Sequence, residues 1–75
     1  MAKFPQVTAP KLIAALGRDG WYETRRRGSH RVFRHPTKPG HVSVPLHQGK
    51  TLKTGTLHGI LDQAGLTVEE LRSLL

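Results

Sequence analysis

The chain has 75 residues, 36% of them hydrophobic, and no cysteine. That bounds it to one small core of marginal stability and excludes disulfides and cysteine-held zinc or iron–sulfur sites. Twelve Lys and Arg face five Asp and Glu, for a net charge of +7. A one-signed field on so small a body attracts a polyanion. No apolar run is long enough to span a bilayer, and no helix combines a basic face with a broad apolar one, so no membrane association is expected.

Residues 1–7, interrupted by Pro5, read as a loose leader. Thr8 is the expected N-cap of a first helix, its hydroxyl placed to accept from a free first-turn amide. Pro10 follows where a missing amide costs little. Leu12, Ile13 and Leu16 fall at helical spacing, with Ala9 on the same side. Gly20 supplies the left-handed turn that ends the helix. Gly17 weakens it by about 1 kcal/mol relative to Ala. Trp21–Arg27 reads as a strand, Gly28-Ser29 as a two-residue hairpin turn and His30–His35 as the returning strand. Residues 36–40 are turn chemistry, and His41–Pro45 is a third strand with Val42 and Val44 on one face. Leu46–Thr51 reads as a polar loop. A second helix runs from about Lys53 to Ala64, with Leu57, Ile60, Leu61 and Ala64 on one stripe. Gly65 stops it. Thr67 and Glu70 spell a capping box that opens a short last helix through Leu71 and Leu74.

This order predicts an α+β fold, a two-layer sandwich. The helices bury their apolar stripes on one face of an antiparallel sheet, and the other face is left to solvent or ligand. One domain is expected, residues 1–75, with its core at about 8–66.

The charge is unevenly placed. From Thr24 to Leu61 there is no acid, yet the stretch holds Arg25, Arg26, Arg27, Arg31, Arg34, Lys38, Lys50, Lys53 and all five histidines. Phe33 is the expected core residue of the second strand, which puts Arg31 and His35 on its side and turns His30, Val32 and Arg34 to the open face. His30 follows the Gly28-Ser29 turn, where a glycine permits close backbone approach and Ser29 offers a hydroxyl and an amide to an oxyanion. His30 is therefore either a proton-transfer group or an ordinary exposed hairpin-end histidine. His35, before Pro36, reads as a structural histidine; His41 and His58 read as surface residues. His47, in the basic loop, is within reach of a phosphate or of His30. No metal is expected: His30, His35, His41 and His47 lack the i, i+4 pair of zinc hydrolases, and no acid lies near them. Ser29 and Ser43 have no Asp in the middle of the chain for nucleophilic catalysis.

Gly20-Trp21, Arg25, Gly28-Ser29-His30, Phe33, His35-Pro36, Val42-x-Val44-Pro45, Gly55-Thr56-Leu57, Ile60-Leu61 and Ala64-Gly65-Leu66 together resemble the HicA toxins. The likeness covers about residues 10 to 66, and the ordered series G-S-H, H-P, V-P is specific. Lys53, where members often carry proline, and Gly17 depart from the common pattern. The resemblance implies a double-stranded-RNA-binding-domain-like fold, α-β-β-β-α, here with a short C-terminal helix. It implies an endoribonuclease of a type II toxin–antitoxin system, an mRNA interferase; the absence of cysteine fits the expected cytoplasmic location. His30 is then the essential residue, supported by Gly28 and Ser29. Arg25, Arg26, Arg27, Arg31, Lys50, Lys53 and His47 are the expected RNA contacts. A HicB-type antitoxin is the expected protein partner, and no cofactor is expected.

On RNA, the 2′-hydroxyl can attack the adjacent phosphorus once a base takes its proton, with His30 as that base or as the acid for the leaving oxygen. The alternative reading is a non-catalytic RNA-binding module of the same fold. A DNA-binding regulator fits less well, because no recognition-helix pattern is present.

Overall fold

Ala9, Leu12, Ala15 and Leu16 give the first helix, α1 (Ala9–Arg18), one apolar stripe, and all four are buried. In this computed structural model, which describes residues 5–46 and 50–75, three strands follow: β1 (Tyr22–Arg27), β2 (His30–Arg34) and β3 (Val42–Pro45). Two helices close the chain, α2 (Thr54–Ala64) and α3 (Val68–Leu74). The strands form one antiparallel sheet in the order β1-β2-β3. The architecture is α+β, with the α-β-β-β-α layout of a double-stranded-RNA-binding-domain-like fold and an added α3.

The sheet turns Phe33, Val42 and Val44 inward, where they meet Leu12 and Leu16 of α1 and Leu57, Ile60 and Leu61 of α2 in one core. α3 adds Leu71, which is fully buried. Its capping box is formed as expected: Thr67 Oγ1 accepts from the Glu70 amide at 3.1 Å, and Glu70 Oε1 accepts from the Thr67 amide at 2.8 Å. Arg18 of α1 donates to the Leu74 carbonyl at 2.7 Å and ties α3 down.

Several expectations need correction. The leader is not loose throughout: Val7 is buried in the core, and its carbonyl accepts from the Leu52 amide at 2.8 Å. Thr8 does stand at the N-cap, but its side chain makes no capping bond; instead Thr8 bridges Thr51 through the backbone. The segment before α2 is less polar than it read. Leu46 and Leu52 pack against the core, and the Leu46 amide donates to the Ser29 carbonyl at 2.7 Å. The strands are also shorter than expected. Trp21 falls outside β1 because its amide donates to Leu16 at the end of α1.

His35 has the structural role its position suggested. Its Nδ1 accepts from the amides of Thr37 and Lys38, each at 3.1 Å, so the proton sits on Nε2, which donates to the Asp19 carbonyl at 2.6 Å. Trp21 packs edge-on against the ring at 5.1 Å. Lys38 donates to Asp19 Oδ2 at 2.6 Å and to the Ala64 carbonyl at 3.1 Å. One junction thus joins the C-terminal ends of both long helices to the loop after β2.

Two glycines near this junction predict opposite outcomes. A Cβ on Gly20 would meet His35 Nε2 at 2.7 Å, and its φ of 105° disfavours any side chain. Gly20→Ala should cost about 1–3 kcal/mol. Gly17 lies inside α1, where a Cβ meets nothing within 4 Å. Gly17→Ala should add about 0.5–1 kcal/mol. In thermal melts each kcal/mol moves Tm by about 4–8 °C for a domain of this size. A Gly20→Ala protein that melts at the wild-type temperature would contradict the packing described.

Candidate nucleic-acid interface

Because helices cover one side of the sheet, alternation sends every second strand residue to the uncovered side. The register arranges these residues in three cross-strand rows. Arg27, His30 and Pro45 form the first, at the hairpin end. Arg25, Val32 and Ser43 form the second. Tyr22 and Arg34 begin the third, and His41, one residue before the paired Val42, comes level with them. Thr24, Arg25, Arg27, His30, Val32, Arg34, His41 and Ser43 line a shallow depression of about 530 Å³.

The arginine placement depends on an irregularity in β1. Glu23 pairs with Phe33 and Arg25 with Val32, so Thr24 is an extra residue on β1. Such a bulge shifts the side-chain phase by one. Without it Arg26 alone of the three arginines would face outward; with it Arg25 and Arg27 do. Thr24 Oγ1 donates to the Val32 carbonyl at 3.3 Å across the bulge.

Glu23 and Arg26 fall on the opposite side. Arg26 pairs with Glu23 at 3.5 Å, and Arg31 of β2 pairs with the same carboxylate at 3.5 Å. Both arginines are thus turned away from His30. Asp19 is engaged by Lys38. The outward face holds no acid, and among the described residues Arg25, Arg27 and Arg34 have no ion-pair partner. Each of these guanidiniums can hold a phosphate, since each offers a planar fork of donors.

His30 stands at the start of β2, exposed, directly after the turn. Gly28 has φ 59° and Ser29 does not have positive φ, the sign pattern of a II′ hairpin turn. The Ser29 carbonyl is held by the Leu46 amide, which fixes the turn against the end of β3. Lys50 and Lys53 are not on the same face. They line a separate depression of about 360 Å³ with Pro45, Thr51, Leu52 and Thr56. Pro45, the cross-strand partner of His30, joins the two. His47, expected to approach the site, lies outside the described residues.

The structure therefore gathers His30, Arg25 and Arg27, and separates Arg26 and Arg31 from them. It adds residues that sequence reasoning left out of the interface. Arg34 was assigned to the open face by alternation but not as an RNA contact. His41 was read only as surface, although its phase with Val42 and Val44 already placed it on His30's side.

No curated protein matches this chain. A family model described as "HicA toxin of bacterial toxin-antitoxin" matches residues 9–66. That span starts at the first residue of α1, takes in all three strands and the whole basic face, and stops short of α3. Among the described residues, no helix is long and apolar enough to cross a membrane. With the family's extent matching the folded unit that carries the face, the chain belongs to the HicA toxin family and is the toxin of a toxin–antitoxin pair.

Proposed function

We propose that this toxin is an mRNA endoribonuclease in which His30 assists attack by the substrate's own 2′-hydroxyl. The observation that carries the reading is the row Arg27–His30–Pro45: an exposed imidazole at the edge of an acid-free basic depression. The unprotonated imidazole takes the 2′-hydroxyl proton as the oxygen bonds to phosphorus. The bond from phosphorus to the 5′-oxygen of the next nucleotide breaks, that oxygen takes a proton from water, and the His30 imidazolium returns its proton to solvent. The products are a 2′,3′-cyclic phosphate and a 5′-hydroxyl.

Arg25 and Arg27 neutralise the charge that grows on the non-bridging oxygens. Gly28 and Ser29 hold the turn that presents His30. Lys50 and Lys53, beyond Pro45, are positioned to continue the path of the strand past the reacting phosphate. A HicB-type antitoxin is the partner this reading requires. Its surface over the depression is acidic, because an unpaired positive field calls for complementary charge. The substrate places the activity in the cytoplasm.

Replacing His30 with Ala should reduce RNA cleavage by about 10²–10⁴-fold, and growth arrest should be lost with it. The variant should melt within about 0.5 kcal/mol of wild type, since an exposed strand-start side chain adds little packing. Cleavage at the wild-type rate would remove His30 from the chemistry. RNA binding with no cleavage by the wild type would favour the non-catalytic module.

Binding to an uncleavable single-stranded RNA should weaken with salt, with a log–log slope of about −0.7 per phosphate neutralised. Arg25→Ala and Arg27→Ala should each reduce the steepness of that slope by about 0.7, and Arg26→Ala should leave it nearly unchanged. Equal effects from all three would mean that the bulge does not sort the arginines as described.

A further inference from the structure

The far row of the open face contains the feature that phosphate binding leaves unexplained. Tyr22 is 51% exposed. It is the one exposed aromatic ring among the described residues, since Trp21 and Phe33 are buried. It pairs across the sheet with Arg34, and Arg34 shares the depression with His41. The ring stands at the start of the edge strand β1, on the side of the sheet that no helix covers. Its row brings together a phenol ring, a guanidinium plane and an imidazole, the three kinds of flat side chain on which nucleobases stack.

The row is also set back from the chemistry. His30 and Arg34 are four residues apart on β2, which at about 3.3 Å per residue separates them by about 13 Å. A strand of RNA whose reacting phosphate sits at His30 passes over Arg25 and Val32 and reaches Tyr22 a few nucleotides away. At that point the face changes character: two unpaired arginines lie near His30, while the far row sets a phenol and an imidazole beside its one arginine.

We propose that Tyr22, with Arg34 and His41, forms a nucleobase-stacking subsite that holds a base of single-stranded RNA a few nucleotides from the phosphate at His30. The proposal rests on the RNA-cleaving reading of the same face and adds to it the requirement for an unpaired base. Stacking needs the base to be splayed out of any duplex, so the subsite selects single-stranded stretches over paired ones. It also tolerates every base, because each has a π face.

The test uses a fluorescent 2′-O-methyl RNA hexamer, which has no nucleophile, and a set of hexamers each with one abasic nucleotide. Dissociation constants are measured for wild type, Tyr22→Ala and Tyr22→Phe. Tyr22→Ala should weaken the intact hexamer by roughly five- to a hundredfold, the range for loss of one stacked base. Tyr22→Phe should bind like wild type. One abasic position should cost the wild type a comparable factor and cost Tyr22→Ala almost nothing, which identifies the stacked base. An unchanged affinity for Tyr22→Ala, or abasic losses that simply add to it, would overturn the subsite. So would a Tyr22→Ala protein that binds RNA normally but binds its antitoxin weakly, since the ring would then belong to a protein interface. If wild type cuts RNA and binds it with steep salt dependence while Tyr22 proves indifferent, only the subsite fails. If wild type shows no salt-dependent binding to RNA, the RNA reading fails with it.

Discussion

A single extra residue in β1 determines what the uncovered face of this protein can do. Side chains on a strand alternate strictly, so three consecutive arginines cannot all face the same way. Thr24 opposes Val32 together with Arg25, and this bulge advances the phase of everything after it. Arg25 and Arg27 then flank the strand that begins with His30, while Arg26 turns back to Glu23. The carboxylate that might have neutralised the face is held on the other side by two arginines. Exposed pairs of this kind contribute little to stability, about 0–1 kcal/mol each. Their consequence here is placement: they occupy the one acid of β1 away from the depression.

The face can be specialised because the opposite side of the sheet meets the folding requirement alone. α1 and α2 bury Phe33, Val42 and Val44, and the junction around Asp19 fastens the ends of both helices to the loop after β2. β3, an edge strand, is partly covered by Gln63, whose side-chain oxygen accepts from the Ser43 amide at 3.2 Å. β1 keeps its outer edge free, and its arginines discourage pairing with another sheet edge. The residues that hold the fold and the unpaired cations therefore occupy different faces of the same strands, and the outward residues can be cationic at little cost to the core.

Much of this was readable in the sequence, for specific reasons. Phe33 set the phase of β2, and so put His30, Val32 and Arg34 outward. Gly28-Ser29 fixed the hairpin, and Thr67 with Glu70 fixed the start of α3. The misreadings have equally specific causes. A bulge leaves no local signal in a run such as Thr24-Arg25-Arg26-Arg27, so the sequence does not separate Arg26 from its neighbours, whereas alternation from Phe33 alone already turns Arg31 inward. Val7 became a core residue because the backbone bridge from Thr8 to Thr51 brings two distant segments together, and no periodicity records such a contact. The exposure of Tyr22 is not legible in the sequence, because a lone aromatic at the start of a strand looks the same whether it is covered or bare.

In the proposed reaction the nucleophile belongs to the RNA and His30 only moves its proton. The most direct measurement is cleavage of a defined RNA carrying one 2′-deoxy nucleotide on the 5′ side of the scissile phosphate, with and without EDTA. With the 2′-hydroxyl as nucleophile, this substitution should block the cut with little loss of binding, the all-ribose RNA should yield a 2′,3′-cyclic phosphate, and EDTA should change neither result. A metal-activated water would cut the deoxy substrate and stop in EDTA. Cleavage of the deoxy RNA at an undiminished rate would contradict the account, even if His30 were essential.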